Sequence, residues 1–193
     1  MEDIIRFRDI AYLQSGNEKQ QSAYRALTDL KIMELLGEFD PLLVGTVPIG
    51  IDLPDSDLDI ICFAPDIGFF EEAVKQRLMG LSLHMEQGYT GGILSLTVQF
   101  TYQDWIIELF AQPVPTLMQN GWRHMIVEHR ILRLWGEKAR KAVMKYKLCG
   151  MKTEPAFGRL LGLEGDPYEE LLRLNDWQDE RLARHFNIKG EED

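Results

Sequence analysis

Asp57 and Asp59 stand one residue apart at the head of an apolar run, Leu58-Asp59-Ile60-Ile61, with ten residues separating them from Gly45-Thr46. A strand sends alternate side chains to opposite faces, so the two carboxylates share one face while Leu58 and Ile60 share the other. Like charges that close repel, and apolar neighbours worsen their desolvation. A divalent cation relieves both problems, and hard oxygen ligands suit Mg²⁺, especially where substrate phosphates complete the coordination. Gly45-Thr46 closes the apolar run Leu42-Leu43-Val44. Glycine lets a backbone approach a ligand closely, and threonine offers a hydroxyl and an amide to a phosphate. A phosphate grip beside a metal-binding pair is the layout that phosphoryl or nucleotidyl transfer requires.

A third carboxylate, Glu108, lies where a carboxylate is unexpected. The run from Trp105 to Phe110 reads as a strand with two apolar faces: Trp105, Ile107 and Leu109 on one, Ile106 and Phe110 around Glu108 on the other. Such a strand should be central in a sheet. Leaving Glu108 buried and unpaired there would cost on the order of several kcal/mol. A metal, or the proton of an attacking nucleophile, would account for it; an ion pair with an arginine is the alternative.

The elements that must hold these groups can be read from periodicity and punctuation. Residues 18–37 have helical spacing through Ala23, Leu27, Leu30 and Leu36, with Gly37 as the stop. Strands are expected over 41–44 and 58–64, with the turn-rich segment between them a loop carrying Pro48, Gly50 and Pro54. A helix follows from Pro65 to Leu78, then a short strand over 81–85, and a loop marked by Gly88, Gly91 and Gly92. Residues 93–100 and 105–111 read as a hairpin turning at Tyr102-Gln103-Asp104. Beyond Pro113 and Pro115 a long helix is expected, its seam running from Met125 through Trp135 to Tyr146 and ending at Gly150. Thr153 is expected to cap another helix, and Asp166-Pro167 to start the last one. Residues 190–193 are expected to fray. The pattern predicts an α+β fold: a mixed sheet flanked by helices over 1–113, and a helical region over 114–193 packed on that core.

Composition narrows the function. The chain has 193 residues, 45% hydrophobic and 27% charged, and no apolar run of membrane-spanning length, so a soluble globular protein without a membrane association is expected. Its start lacks signal-peptide features, and its two cysteines give no disulfide framework, so a cytoplasmic location is expected. The net charge of −10 argues against broad non-specific DNA binding. The charge is uneven: from Arg123 to Lys152 nine Lys/Arg stand against two acids, a local +7 that leaves −17 for the rest. That stretch can hold a polyanion such as a triphosphate, or can be a solvated helix face. Arg123, opening the long helix, and Lys152, before the next one, are the candidate phosphate-binding cations. Walker, nucleophile-elbow and His-Glu-x-x-His motifs are absent.

Gly45-Thr46, the ten-residue spacing, Asp57-Leu58-Asp59 and a distant strand carboxylate together resemble the nucleotidyltransferase fold of DNA polymerase beta and the antibiotic nucleotidyltransferases. More closely, Gly45–Ala64, Glu108–Pro113, Trp122–Arg130 and Thr153–Leu163 resemble a bacterial family of unknown function assigned to that fold. The resemblance implies that Asp57 and Asp59 bind two Mg²⁺ ions and a nucleoside triphosphate donor. It implies that Glu108 helps bind one metal and activates an attacking hydroxyl, and that Gly45 and Thr46 grip the terminal phosphates. The expected reaction joins a nucleoside monophosphate to a hydroxyl of a small molecule, protein or RNA, with the acceptor and base open. A non-catalytic nucleotide-binding or partner-binding protein on the same fold is the alternative.

Overall fold

The computed structural model describes residues 2–186; the expected fraying of 190–193 falls outside them. The chain divides into two compact units, one formed by residues up to 50 with 56–122, the other by 51–55 with the residues from 123 on.

The first unit is built on five strands: β1 (Leu42–Val44), β2 (Leu58–Phe63), β3 (His84–Thr90), β4 (Ile93–Tyr102) and β5 (Trp105–Gln112). Their order is β1-β2-β5-β4-β3. β2 and β5 run parallel and every other neighbouring pair is antiparallel, so the sheet is mixed. β5 is central, as its apolar composition requires. Its faces are unequal, however. Trp105, Ile107 and Leu109 are buried, whereas Ile106 is exposed and Glu108 and Phe110 are half-buried. The expectation of two fully buried faces is corrected here: helices cover one side of β5, and the side with Glu108 is partly open.

The covered side packs on α2 (Glu18–Leu30) and α5 (Ile67–Arg77), whose Leu27, Phe70 and Val74 join Leu58, Ile60 and Leu109 in one core. Ahead of them lies a short helix, α1 (Glu2–Ile5). The helix expected over 18–37 is interrupted. Lys31 takes a left-handed conformation (φ 55°) and its N–H bonds back to Leu27 and Thr28, after which α3 (Ile32–Leu35) makes one further turn. The loop after Gly45 contains a helical turn, α4 (Thr46–Ile49). The loop expected over Gly88–Gly92 shrinks to two residues. β3 continues through Gly88, opposite Ser95, because pairing with β4 fixes the strand regardless of local propensity. Gly91 and Gly92, both with positive φ, then make the turn that a two-residue hairpin favours.

The second unit is helical. α6 (Asn120–Leu148) begins in the first unit and supplies the second from Arg123; it is followed by α7 (Thr153–Leu161), α8 (Pro167–Asn175) and α9 (Asp179–His185). α6 was expected to be one uninterrupted helix, but Gly136 has φ 59° and ψ −142°, values open to glycine, and breaks it. Lys152, not Thr153, occupies the N-cap of α7, with no side-chain cap bond. Asp166 caps α8 as expected, accepting from the Tyr168 N–H at 2.9 Å. α9 was not foreseen. Gly158 lets α7 meet α8, since a Cβ there would lie 2.9 Å from the Pro167 ring.

Part of the basic stretch is spent inside this unit. Arg130 donates to Asp179 (2.8 Å) and to the carbonyls of Asn175 and Trp177, while Arg133 also pairs with Asp179. Lys147 is buried and donates to the Ile51 carbonyl at 2.6 Å. Among the described residues no helix is long and apolar enough to cross a membrane.

Candidate functional site

The sheet register brings the three carboxylates together within the first unit. β2 and β5 pair Asp59 directly with Glu108, and β1 pairs Val44 with Asp59. Paired residues on neighbouring strands point to the same face at about 4.8 Å spacing. Leu58 and Ile60 are fully buried on the opposite face, so Asp57 and Asp59 turn toward the side on which Glu108 lies, as their spacing predicts. Burial, followed by the charge of Asp57, pushes the Glu108 carboxyl up from its ordinary value. Asp57 thus faces Glu108 with a like charge.

Gly45 ends β1 against this cluster. Its φ of 82° and ψ of −151° belong to glycine, and a Cβ would sit 2.4 Å from Asp59 Oδ2. The backbone thus approaches the Asp59 carboxylate more closely than any other residue type would allow. Thr46 opens the α4 turn, and its hydroxyl lies 3.4 Å from that of Ser56. The turn is held from behind by Gln20 of α2, which donates to the carbonyls of Val47 (2.8 Å) and Pro48 (3.3 Å). Gln20 was missed as a positioning residue. Its signal was available as the capping pair Asn17-x-x-Gln20, which the structure closes in both directions.

Arg123 and Lys152 belong to the second unit. Arg123 donates to the Leu172 carbonyl at 3.5 Å, and Lys152 is exposed ahead of α7. His124 packs within the same unit, with Nε2 3.0 Å from the Tyr168 carbonyl and Nδ1 3.7 Å from Glu154. A buried acid that sequence reasoning did not single out, Glu128, lies close to Glu154 and Lys147. Burial and then Glu154 push its carboxyl well up, and its Oε1 has no hydrogen-bond partner.

The donor set of the first unit is entirely carboxylate oxygen. Among the described residues no three His, Cys, Asp or Glu side chains already converge as a metal cage. The carboxylate oxygens of Asp57, Asp59 and Glu108 are of the hard type that Mg²⁺ takes when ligand oxygens and water supply the rest of its coordination.

A family model described as "Domain of unknown function (DUF4269)" matches residues 13–174, most of the chain. The chain belongs to this family. No curated protein matches it. Among solved structures, the Cid1 poly(U) polymerase with MgGTP bound is similar over 80% of this chain and 49% of its own, at 11% identity and a TM-score of 0.53. A second Cid1 structure, described for its RNA terminal uridylyl transferase activity, is similar over 80% of this chain and 48% of its own, again at 11% identity and 0.53. The chain thus spans about half the length of these structures. The family member described here has the nucleotidyltransferase-like α+β fold, with its mixed five-stranded sheet flanked by helices.

Proposed function

We propose that this chain is a Mg²⁺-dependent nucleotidyltransferase that moves a nucleoside monophosphate from a nucleoside triphosphate to a hydroxyl acceptor. The observation that carries the reading is the pairing of Asp59 with Glu108 across β2 and β5, with Asp57 near enough to raise the Glu108 carboxyl. Carboxylates brought this close repel, and a cation beside them relieves that repulsion. The fold shared with the Cid1 structure bound to MgGTP supports the choice of donor and metal.

In this reading Asp57 and Asp59 hold Mg²⁺, which supplies charge neutralisation at the triphosphate and the leaving oxygen. Gly45 presents its backbone without obstruction, and the Thr46 amide and hydroxyl hold terminal phosphate oxygens. Glu108 accepts the proton of the acceptor hydroxyl. The hydroxyl oxygen bonds to the α-phosphorus, the bond to the bridging oxygen breaks, and pyrophosphate leaves with that electron pair.

The test is thermal melting of the protein with each nucleoside triphosphate, with and without Mg²⁺, beside Asp57→Asn/Asp59→Asn. Ligand at a hundredfold excess over Kd stabilises by about 2.7 kcal/mol, or roughly 5–10 °C for a chain of this size. A Mg²⁺-dependent rise with one nucleotide, lost in the variant, is expected. Cooperative melting with no rise for any nucleotide would refute the proposal.

A further inference from the structure

The carboxylates are part of a longer line. The register pairs Val44 with Asp59, Asp59 with Glu108, Glu108 with Gln99, and Gln99 with His84, so a single row crosses all five strands on one face. Gln99 therefore stands one strand from Glu108, about 4.8 Å away, and His84 one strand further. Thr97 and Thr101 flank Gln99 on the same face of β4. Gln99, Thr101 and His84 are exposed and Thr97 is half-buried. Beside Glu108 on β5, Ile106 is 47% exposed. The face next to the proposed base is thus open, and hydrogen-bonding side chains line it beside the exposed Ile106.

Its charge is equally specific. No Lys or Arg occurs between Arg77 and Arg123, an interval that contains β3, β4 and β5 entirely. Glu86 adds a negative charge to the same face of β3. Nucleic acids draw affinity and register from Lys and Arg on their phosphates. A phosphodiester chain laid here would meet carboxylates and no cation from these strands. An amide and two hydroxyls, by contrast, match the mixed donors and acceptors of neutral hydroxyl groups.

We propose that this open face seats the acceptor, and that the acceptor is a small hydroxyl-rich molecule without phosphate groups, positioned by Gln99 with Thr97 and Thr101. The inference rests on the transferase reading and names its acceptor class. One acceptor hydroxyl gives its proton to Glu108 and its oxygen to the α-phosphorus, with pyrophosphate leaving; neighbouring hydroxyls bond to Gln99.

The test uses the full chain with Mg²⁺ and each α-³²P-labelled nucleoside triphosphate. The acceptor source is a cell extract divided into RNA, protein, anion-exchanger-retained metabolites and flow-through metabolites. Label is expected in products made from the flow-through fraction. Gln99→Ala is expected to lower that labelling about tenfold at limiting fraction, the loss of one to two hydrogen bonds, with recovery when the fraction is in excess. Its nucleotide-induced melting shift should remain. Label in RNA, protein or retained metabolites overturns the inference and leaves the transferase reading standing. No incorporation from any fraction overturns both. Unchanged labelling by Gln99→Ala overturns the placement of the acceptor on this face.

Discussion

Replacing Gly45 with alanine should damage the site from the backbone outward. At φ 82° and ψ −151° Gly45 occupies a region essentially restricted to glycine, where another residue costs about 1–3 kcal/mol. The new Cβ would also sit 2.4 Å from Asp59 Oδ2. Either the carboxylate turns off its rotamer, at about 0.5–1.5 kcal/mol, or the end of β1 shifts. Together the terms give about 3 kcal/mol, or roughly 6–12 °C in Tm for a chain of this size. The nucleotide response should disappear as well, because the displaced group is a proposed metal ligand. Gly162→Ala is the control: φ is 67° there and nothing lies within 4 Å of its Cβ, so only the backbone cost of about 1–2 kcal/mol applies. Thermal unfolding with and without Mg²⁺-nucleotide measures both effects. A Gly45→Ala protein that melts with the wild type and keeps its nucleotide shift would refute the close-approach reasoning.

The Glu108 carboxyl, raised by burial and by Asp57, should titrate at lower pH in Asp57→Asn; ¹³C NMR of the carboxyl measures this, and an unmoved midpoint would contradict their proximity. Glu128 holds its proton more tightly folded than unfolded, so its contribution is full below the unfolded value and is lost as pH rises through the folded one. Glu128→Gln, which cannot ionise, should therefore gain on the wild type as pH climbs from acid toward 8, and parallel Tm-against-pH curves would exclude this. Arg130→Ala leaves the carbonyls of Asn175 and Trp177 without their donor and Asp179 with Arg133 alone, and should cost about 2–3 kcal/mol in urea unfolding, with a loss below about 1 kcal/mol counting against an anchoring role.

The strands that hold the carboxylates were legible because alternation is a local signal. Asp57-Leu58-Asp59 fixed a shared face, and the apolar Trp105–Phe110 run fixed a central strand. That Asp59 and Glu108 would pair was not legible, since a parallel register between distant segments leaves no mark on either one. The helical break at Lys31 was missed because a left-handed lysine carries none of the signal that glycine does. Gly136 was passed over for the opposite reason: the apolar seam of α6 continues on both sides of it. The partners within the basic stretch were not legible, because charge counts ignore them. Arg130 and Arg133 are matched by Asp179, 49 and 46 residues away, in a helix the sequence reading did not anticipate.

Gln20 gives the Gly-Thr turn an unusual dependence. Its Oε1 accepts from the Asn17 N–H while its Nε2 holds the Val47 and Pro48 carbonyls, and Gly16 leaves room for it, since a Cβ there would lie 2.1 Å from that Oε1. One planar amide thus joins the first turn of α2 to the turn after Gly45, and its two ends cannot be optimised separately. Fraying at Asn17 frees the amide to swing and loosens the Thr46 turn; a ligand that stiffens the Thr46 turn must in return protect the Asn17–Gln20 amides from solvent exchange. By thermodynamic reciprocity the two effects are equal in free energy. The start of a surface helix, remote from the carboxylates in sequence, thereby becomes a gauge of occupancy at the proposed site.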